Sequence, residues 1–207
     1  MTATLWIASA NQKKRNELER LLAAAGGLEL KTMADLAEPL DIVEDRPDFA
    51  GNAEVKAVTL ARLVGAPALG DDSGLRVDAL GGAPGVHSAR WAGPDATDHD
   101  RIDKLLAELG DRPDRSARFV CHLCLADATG KVLARIEESC EGRILTAPRG
   151  EAGFGYDPVF VAAAFQRPGA GEIDPSFAEL SAEQKDAVSH RGKALRALAA
   201  WLTEHPL

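Results

Sequence analysis

Residues 5–14, Leu5-Trp6-Ile7-Ala8-Ser9-Ala10-Asn11-Gln12-Lys13-Lys14, decide the fold class. Leu5 to Ser9 is a short apolar run bounded by a polar turn, which reads as a buried strand. Ala10-Asn11-Gln12 forms the turn. Beyond it Leu18, Leu21, Leu22 and Ala25 recur at helical spacing until Gly26-Gly27 stops the pattern. Leu28 to Met33 reads as a second strand, and residues 34–48, acidic and containing two prolines, read as loop. Phe49, Ala53, Ala57, Leu60, Ala61 and Val64 share one helical face, ended by Gly65 and Pro67.

Further outward, Pro67 to Leu80 reads as a strand with a tight turn through Asp72-Ser73-Gly74, followed by a Gly/Pro loop from Gly81 to Gly85. Ile102, Leu105, Leu106 and Leu109 mark a helix closed by Gly110. Strands around 116–126 and 131–139 join through Asp127-Ala-Thr-Gly130 as a hairpin. A Gly-rich segment from Gly150 to Pro158 precedes a helical C-terminus. There Ser181 and Gln184 make a capping box, and Ser189 caps a last helix with Leu195, Leu198, Ala199 and Leu202 on its apolar face. Strands alternate with helices early and form a hairpin later, so the expected class is α/β with a mixed sheet, in a single domain over 1–207.

Hydrophobic residues are 45% and charged residues 27% of the 207, ordinary for a globular chain. The formal net charge of -8 argues against a nucleic-acid coat or a membrane-surface binder, which need a basic face. No apolar run reaches the roughly 20 residues of a membrane span. The N-terminus is apolar before it is basic, opposite to a signal peptide. Three cysteines, Cys121, Cys124 and Cys140, are too few for a disulfide scaffold, so a cytoplasmic setting is expected. Cys121 and Cys124 have C-x-x-C spacing but lie in the alternating run Ala117, Phe119, Cys121, Leu123, Leu125. On a strand, residues three apart face opposite ways, which favours packing over zinc or redox chemistry.

Four constellations can carry chemistry. The strand-to-helix turn Ser9-Ala10-Asn11-Gln12-Lys13-Lys14 presents free N–H groups and a lysine, an anion site. Asp71 and Asp72 lie side by side before Ser73-Gly74; two buried carboxylates need a cation, and magnesium takes one or two carboxylates plus water and phosphate. Gly153-Phe154-Gly155-Tyr156-Asp157-Pro158 combines glycines that admit close approach with two aromatics that can stack on a base. Lys185 with Ser189-His190-Arg191 gathers donors near a helix start. Taken singly, each has a plainer alternative: a helix cap, an acidic surface turn, a core loop, a solvated helix face.

Together they resemble one family. Ser9-x-Asn11-x-x-Lys14, Asn52-Ala-x-x-Lys56-Ala57, Asp71-Asp72-Ser73-Gly74-Leu75, Gly81-Gly-Ala-Pro-Gly85, Ser88-Ala-Arg90, Gly153-Phe-Gly-Tyr-Asp-Pro158 and Ser189-His190-Arg191 appear in the order of the inosine triphosphate pyrophosphatase, or HAM1-like, family. The resemblance implies an elongated mixed sheet flanked by helices, two lobes with a central cleft, a homodimer and a magnesium cofactor. It implies hydrolysis of non-standard purine nucleoside triphosphates such as ITP, dITP and XTP to monophosphate and pyrophosphate. Lys14 and the turn from Ser9 through Ala10, Asn11, Gln12 and Lys13 would hold the triphosphate, with Lys56 assisting. Asp72 would be general base and, with Glu44, metal ligand. Ser73 would touch the substrate, and Phe154, Gly155, Tyr156, Asp157, Lys185, His190 and Arg191 would hold the nucleoside.

Two positions depart from the pattern. Gly51 stands where the family usually has Glu, and Ala10 where it usually has Gly. Gly51 puts the support of the acidic site in question. The rival readings are a pyrophosphatase for pyrimidine or methylated nucleotides on a similar fold, and a nucleotide-binding protein without turnover.

Overall fold

The computed structural model describes residues 3–9, 12–23, 27–167 and 174–207, without the side chains of Gln12, Lys13 and Ala23. The expected alternation is present: β1 (Ala3–Ala8), α1 (Gln12–Ala23), β2 (Leu28–Thr32), α2 (Phe49–Val64) and β3 (Ala68–Val77). β1 pairs in parallel with β2, Leu5 opposite Leu30, and in parallel with β3, Ile7 opposite Leu69. Parallel neighbours need a crossover, and α1 and α2 supply them. The turn residues Ala10 and Asn11, and Ala25 and Gly26 at the end of the first helical pattern, lie outside the described residues.

Residues 34–48 carry no helix or strand beyond a 3-10 turn at Met33–Asp35. Asp48 then caps α2, its side chain accepting the Gly51 N–H at 2.7 Å, and Gly65 ends the helix in the left-handed region at φ 62°. The apolar stripe Phe49, Ala53, Ala57, Leu60, Ala61 is buried as the spacing requires. So are Asn52 and Lys56, which lie four residues apart on the same helix.

One expectation is corrected. Asp72-Ser73-Gly74 is not a turn: β3 runs unbroken from Ala68 to Val77 through all three residues. Neither Gly70 nor Gly74 has a positive φ. Gly70 serves close packing instead. A Cβ there would stand 2.1 Å from the Ala53 carbonyl oxygen and 2.8 Å from the Ala57 nitrogen of α2. Gly70 therefore lets a helix lie against the strand, and the two aspartates sit mid-strand.

The remaining elements are α3 (Asp98–Leu109), β4 (Ser116–Ala126), β5 (Val132–Ile144), β6 (Phe160–Ala162), α4 (Ala182–Val188) and α5 (His190–Glu204). The hairpin forms with the Asp127 N–H donating to the Lys131 carbonyl at 2.9 Å. β5 continues five residues past the expected end because β6 pairs antiparallel with it, from Gly142 opposite Ala162 to Ile144 opposite Phe160. The strand order is β2-β1-β3-β4-β5-β6, a mixed six-stranded sheet.

The chain forms two compact units. The first comprises Met1–Ser73, Cys121–Glu138 and Ala194–Leu207; the second comprises Gly74–Val120 and Ser139–Lys193. The first holds two apolar clusters, one around Leu5, Ile7, Leu69, Leu123 and Leu198, the other around Ala53, Ala57, Leu60 and Ala68. The second is built on Leu75, Leu105, Phe119, Phe160 and Phe177. Cys121 and Cys124 go to the two different clusters of the first unit, as strand alternation demands. Burial pushes the Cys124 thiol up to about 11, so it is a packing residue.

Candidate functional site

In the first unit, β3 and α2 bring acids and lysines together. Lys56 Nζ lies 2.8 Å from Glu44 Oε2 and 3.2 Å from Asp72 Oδ1, and donates to the Asp71 carbonyl at 3.0 Å. Glu44, placed by the irregular acidic segment, and Asp72, placed by the strand, thus converge on one cation. Asp72 Oδ2 accepts from Asn52 Nδ2 at 3.1 Å. Asp71 faces another way: its Oδ1 takes Lys14 Nζ at 3.1 Å and the Ser73 hydroxyl at 3.1 Å, and its Oδ2 the Cys121 thiol at 3.9 Å. Lys14 sits in the first turn of α1, just after Ser9, which is buried at the end of β1.

Burial raises the pKa of Asp72, and the nearby Lys56 and Lys14 offset that only in part. Lys56 is raised: burial opposes its charge, but the carboxylates of Asp72 and Glu44 outweigh burial. A carboxylate whose pKa is raised beside a fixed ammonium is suited to accept a proton. Among the described residues there is no group of three or more His, Cys, Asp and Glu that could hold a metal. Glu44 and Asp72 meet at the Lys56 ammonium, two carboxylates of the kind that magnesium takes together with water and phosphate.

In the second unit, Asp157 organises the other group. Its Oδ2 accepts the Phe154 N–H at 2.8 Å and Lys185 Nζ at 2.7 Å. Gly153, at φ 77°, leaves that carboxylate room; a Cβ there would lie 2.1 Å from Asp157 Oδ2. Lys185 Nζ stands 5.0 Å from the centre of the Phe154 ring, and the Arg191 guanidinium 5.8 Å from it. The half-buried Phe154 ring is therefore attended by two cations. His190 stacks on Phe119, with ring centres 4.8 Å apart and planes 10° from parallel. Tyr156 differs from expectation. Its ring is buried in the apolar cluster and its hydroxyl donates to the Ser88 carbonyl at 3.0 Å. Of the two aromatics read as base-stacking, only Phe154 keeps an exposed face; the loop needs the Tyr156 side chain as an anchor.

A model of the Ham1 family matches residues 5–201 of the chain. A dITP/XTP pyrophosphatase of Desulfotalea psychrophila is 45% identical over 200 residues, covering 97% of this chain and 85% of that protein. One of Syntrophobacter fumaroxidans is 50% identical over 193 residues, covering 93% and 79%. The solved structure of a HAM1 protein from Coxiella burnetii aligns with a TM-score of 0.85 at 40% identity, covering 98% of this chain and 99% of that one. This chain belongs to the Ham1 family.

Within the Ham1 family pattern, the chain's departures now have places. The Gly51 N–H is bonded to the Asp48 cap, and a Cβ at 51 would meet Arg46 Cβ at 2.9 Å and Asp48 Oδ1 at 3.2 Å. The departure at 51 thus touches the start of α2 rather than the carboxylate pair. Ala10 lies outside the described residues, as do Asn11 and the side chains of Gln12 and Lys13, all read as phosphate contacts. Asn52 is the residue that sequence reasoning missed. Besides holding Asp72, its Oδ1 accepts the Arg46 N–H at 3.0 Å, two residues after Glu44. One carboxamide therefore ties the acidic segment to the strand. The available signal was a polar residue on the buried stripe of a helix, at 1% exposure.

Proposed function

We propose that this chain hydrolyses non-standard purine nucleoside triphosphates, ITP, dITP and XTP among them, to the monophosphate and pyrophosphate. The relatives named as dITP/XTP pyrophosphatases support the reaction class. The observation that carries it is the buried Lys56–Asp72 pair joined by the exposed Glu44, an acid pair and a cation with no role in the apolar core.

The residues of the first unit take the triphosphate end. Lys14 faces the phosphates and is held in place by Asp71; Lys56 keeps Asp72 and Glu44 aligned. Glu44 and Asp72 would hold magnesium, which when bound supplies neutralisation of the phosphate charge. A water oxygen bonds to the α-phosphorus, and the bond from that phosphorus to the bridging oxygen breaks. Pyrophosphate leaves with the electron pair, and Asp72 receives the proton of the water. Positioning and charge supply most of the acceleration. The nucleoside end falls to Phe154, for stacking, and to the donors Lys185, His190 and Arg191. The same reading includes a homodimer working in the cytoplasm. No helix among the described residues is long and apolar enough to cross a membrane.

Purified protein incubated with ITP and magnesium should release pyrophosphate and IMP in equal amounts, and chelation should stop it. Release of orthophosphate in place of pyrophosphate, or binding of ITP without turnover, overturns the proposal.

A further inference from the structure

Two sequence motifs, Gly81 to Gly85 and Ser88-Ala-Arg90, have no part in the reaction derived above, yet both converge on one point of the second unit. Ser88 lies in a 3-10 turn, Gly85–Arg90, and is buried. Its hydroxyl donates to the Gly85 carbonyl at 2.6 Å and accepts the Leu75 N–H at 2.9 Å. Its own carbonyl accepts the Tyr156 hydroxyl at 3.0 Å. One serine thus joins the end of β3, the Gly/Pro loop and the segment carrying Phe154 and Asp157.

That last segment needs such an anchor. Gly153 at φ 77° and Gly155 at φ 61° flank Phe154 and give the backbone little stiffness of its own. The loop is held on one side by Asp157, which takes the Phe154 N–H and Lys185. It is held on the other through Tyr156, whose ring is 3% exposed among Leu75, Val159 and Phe160. Apolar packing fixes how deep a ring goes but constrains its slide and tilt weakly. A hydrogen bond at the far end fixes both. Burial also pushes the phenol upward, so the hydroxyl stays protonated and remains a donor.

We infer that the Tyr156 hydroxyl and Ser88 form a strut that positions the Phe154 loop for the nucleoside, making both of them positioning residues for base recognition. The inference rests on the proposed reading that Phe154 to Asp157 receive the base. The strut acts on the nucleoside end and leaves the phosphate end, which belongs to residues of the first unit, unaffected.

Tyr156→Phe keeps the ring and removes the hydroxyl. For ITP it should raise KM about tenfold and leave kcat within about twofold, the size expected when a buried hydrogen bond loses its donor. Inhibition by IMP should weaken by the same factor, and inhibition by inorganic pyrophosphate should not change. Ser88→Ala, which keeps the carbonyl but frees the turn bearing it, should give the same split with smaller amplitude, and decides the matter if Tyr156→Phe does not fold. A variant that only melts lower, with both inhibition constants as in the wild type, makes the contact an ordinary core hydrogen bond and overturns the strut. So does equal weakening toward IMP and pyrophosphate. A wild-type protein that releases no pyrophosphate from ITP sinks the proposed function itself, which separates that failure from this one.

Discussion

Asp72 has a partner on each oxygen, Lys56 on Oδ1 and Asn52 on Oδ2, and is buried enough for its pKa to rise. Asp72→Asn is nearly isosteric and removes the charge, so kcat for ITP should fall roughly a hundredfold to ten-thousandfold while the melting temperature holds. Near-normal turnover in a folded variant would remove Asp72 as the base. Lys14 poses a sharper question, because its ammonium is paired with Asp71, whose side chain is fully buried. If Lys14 grips phosphate, Lys14→Ala should lower kcat/KM for ITP about tenfold or more, the worth of one charge-assisted contact, and change inosine binding little. Equal losses toward ITP and inosine would mean that Lys14 only supports Asp71.

At the scale of elements, the contact between α2 and β3 matters most, because it brings Asn52 and Lys56 to Asp72. It depends on Gly70, where a Cβ would press on the backbone of α2 at Ala53 and Ala57. Gly70→Ala should therefore destabilise by about 2–3 kcal/mol, the upper range of overpacking, and depress activity because the helix must shift. Gly51→Ala offers the contrast. It gains about 1 kcal/mol of helix propensity at the start of α2 and loses a similar amount by displacing Arg46, so its stability should stay near that of the wild type. Denaturant unfolding of both proteins checks this; a Gly70→Ala protein as stable as the wild type would mean that the helix and strand are not held at this distance.

For the molecule as a whole, the telling property is the choice of base. Lys185, His190 and Arg191 are mainly hydrogen-bond donors. Lys185 and the Phe154 N–H are already committed to Asp157, which holds the donor array in a set geometry. If these donors face the purine edge as proposed, a 6-oxo group would find partners there, and a 6-amino group would meet other donors and leave buried groups unsatisfied. The expected order of kcat/KM is ITP and XTP above GTP, whose 2-amino group adds a donor, and GTP above ATP. Deoxy forms should behave like their ribose counterparts. Specificity constants for ATP or GTP within about tenfold of ITP, a gap of only about 1.4 kcal/mol, would defeat the donor-edge account.

Periodicity and punctuation alone determined most of the elements: the N-terminal strand and helix, α2 between its acidic lead-in and Gly65, the hairpin at Asp127 to Gly130, and the capped C-terminal helices. These are local, since each is set by residues a few positions apart. The ordered motifs also marked which residues to watch. Only the tertiary structure decided how they are used. Asp72-Ser73-Gly74 looks like a turn in isolation, yet it is mid-strand because β3 is paired in the sheet between β1 and β4. Tyr156 looks like a stacking platform, yet it is an anchor because Ser88, 68 positions away, offers it an acceptor. Asn52 looks like an ordinary helix residue, yet it joins Arg46 to Asp72. In all three the deciding partner is remote in sequence, and hydrogen bonding and steric contact depend on distance in space, which spacing along the chain does not encode.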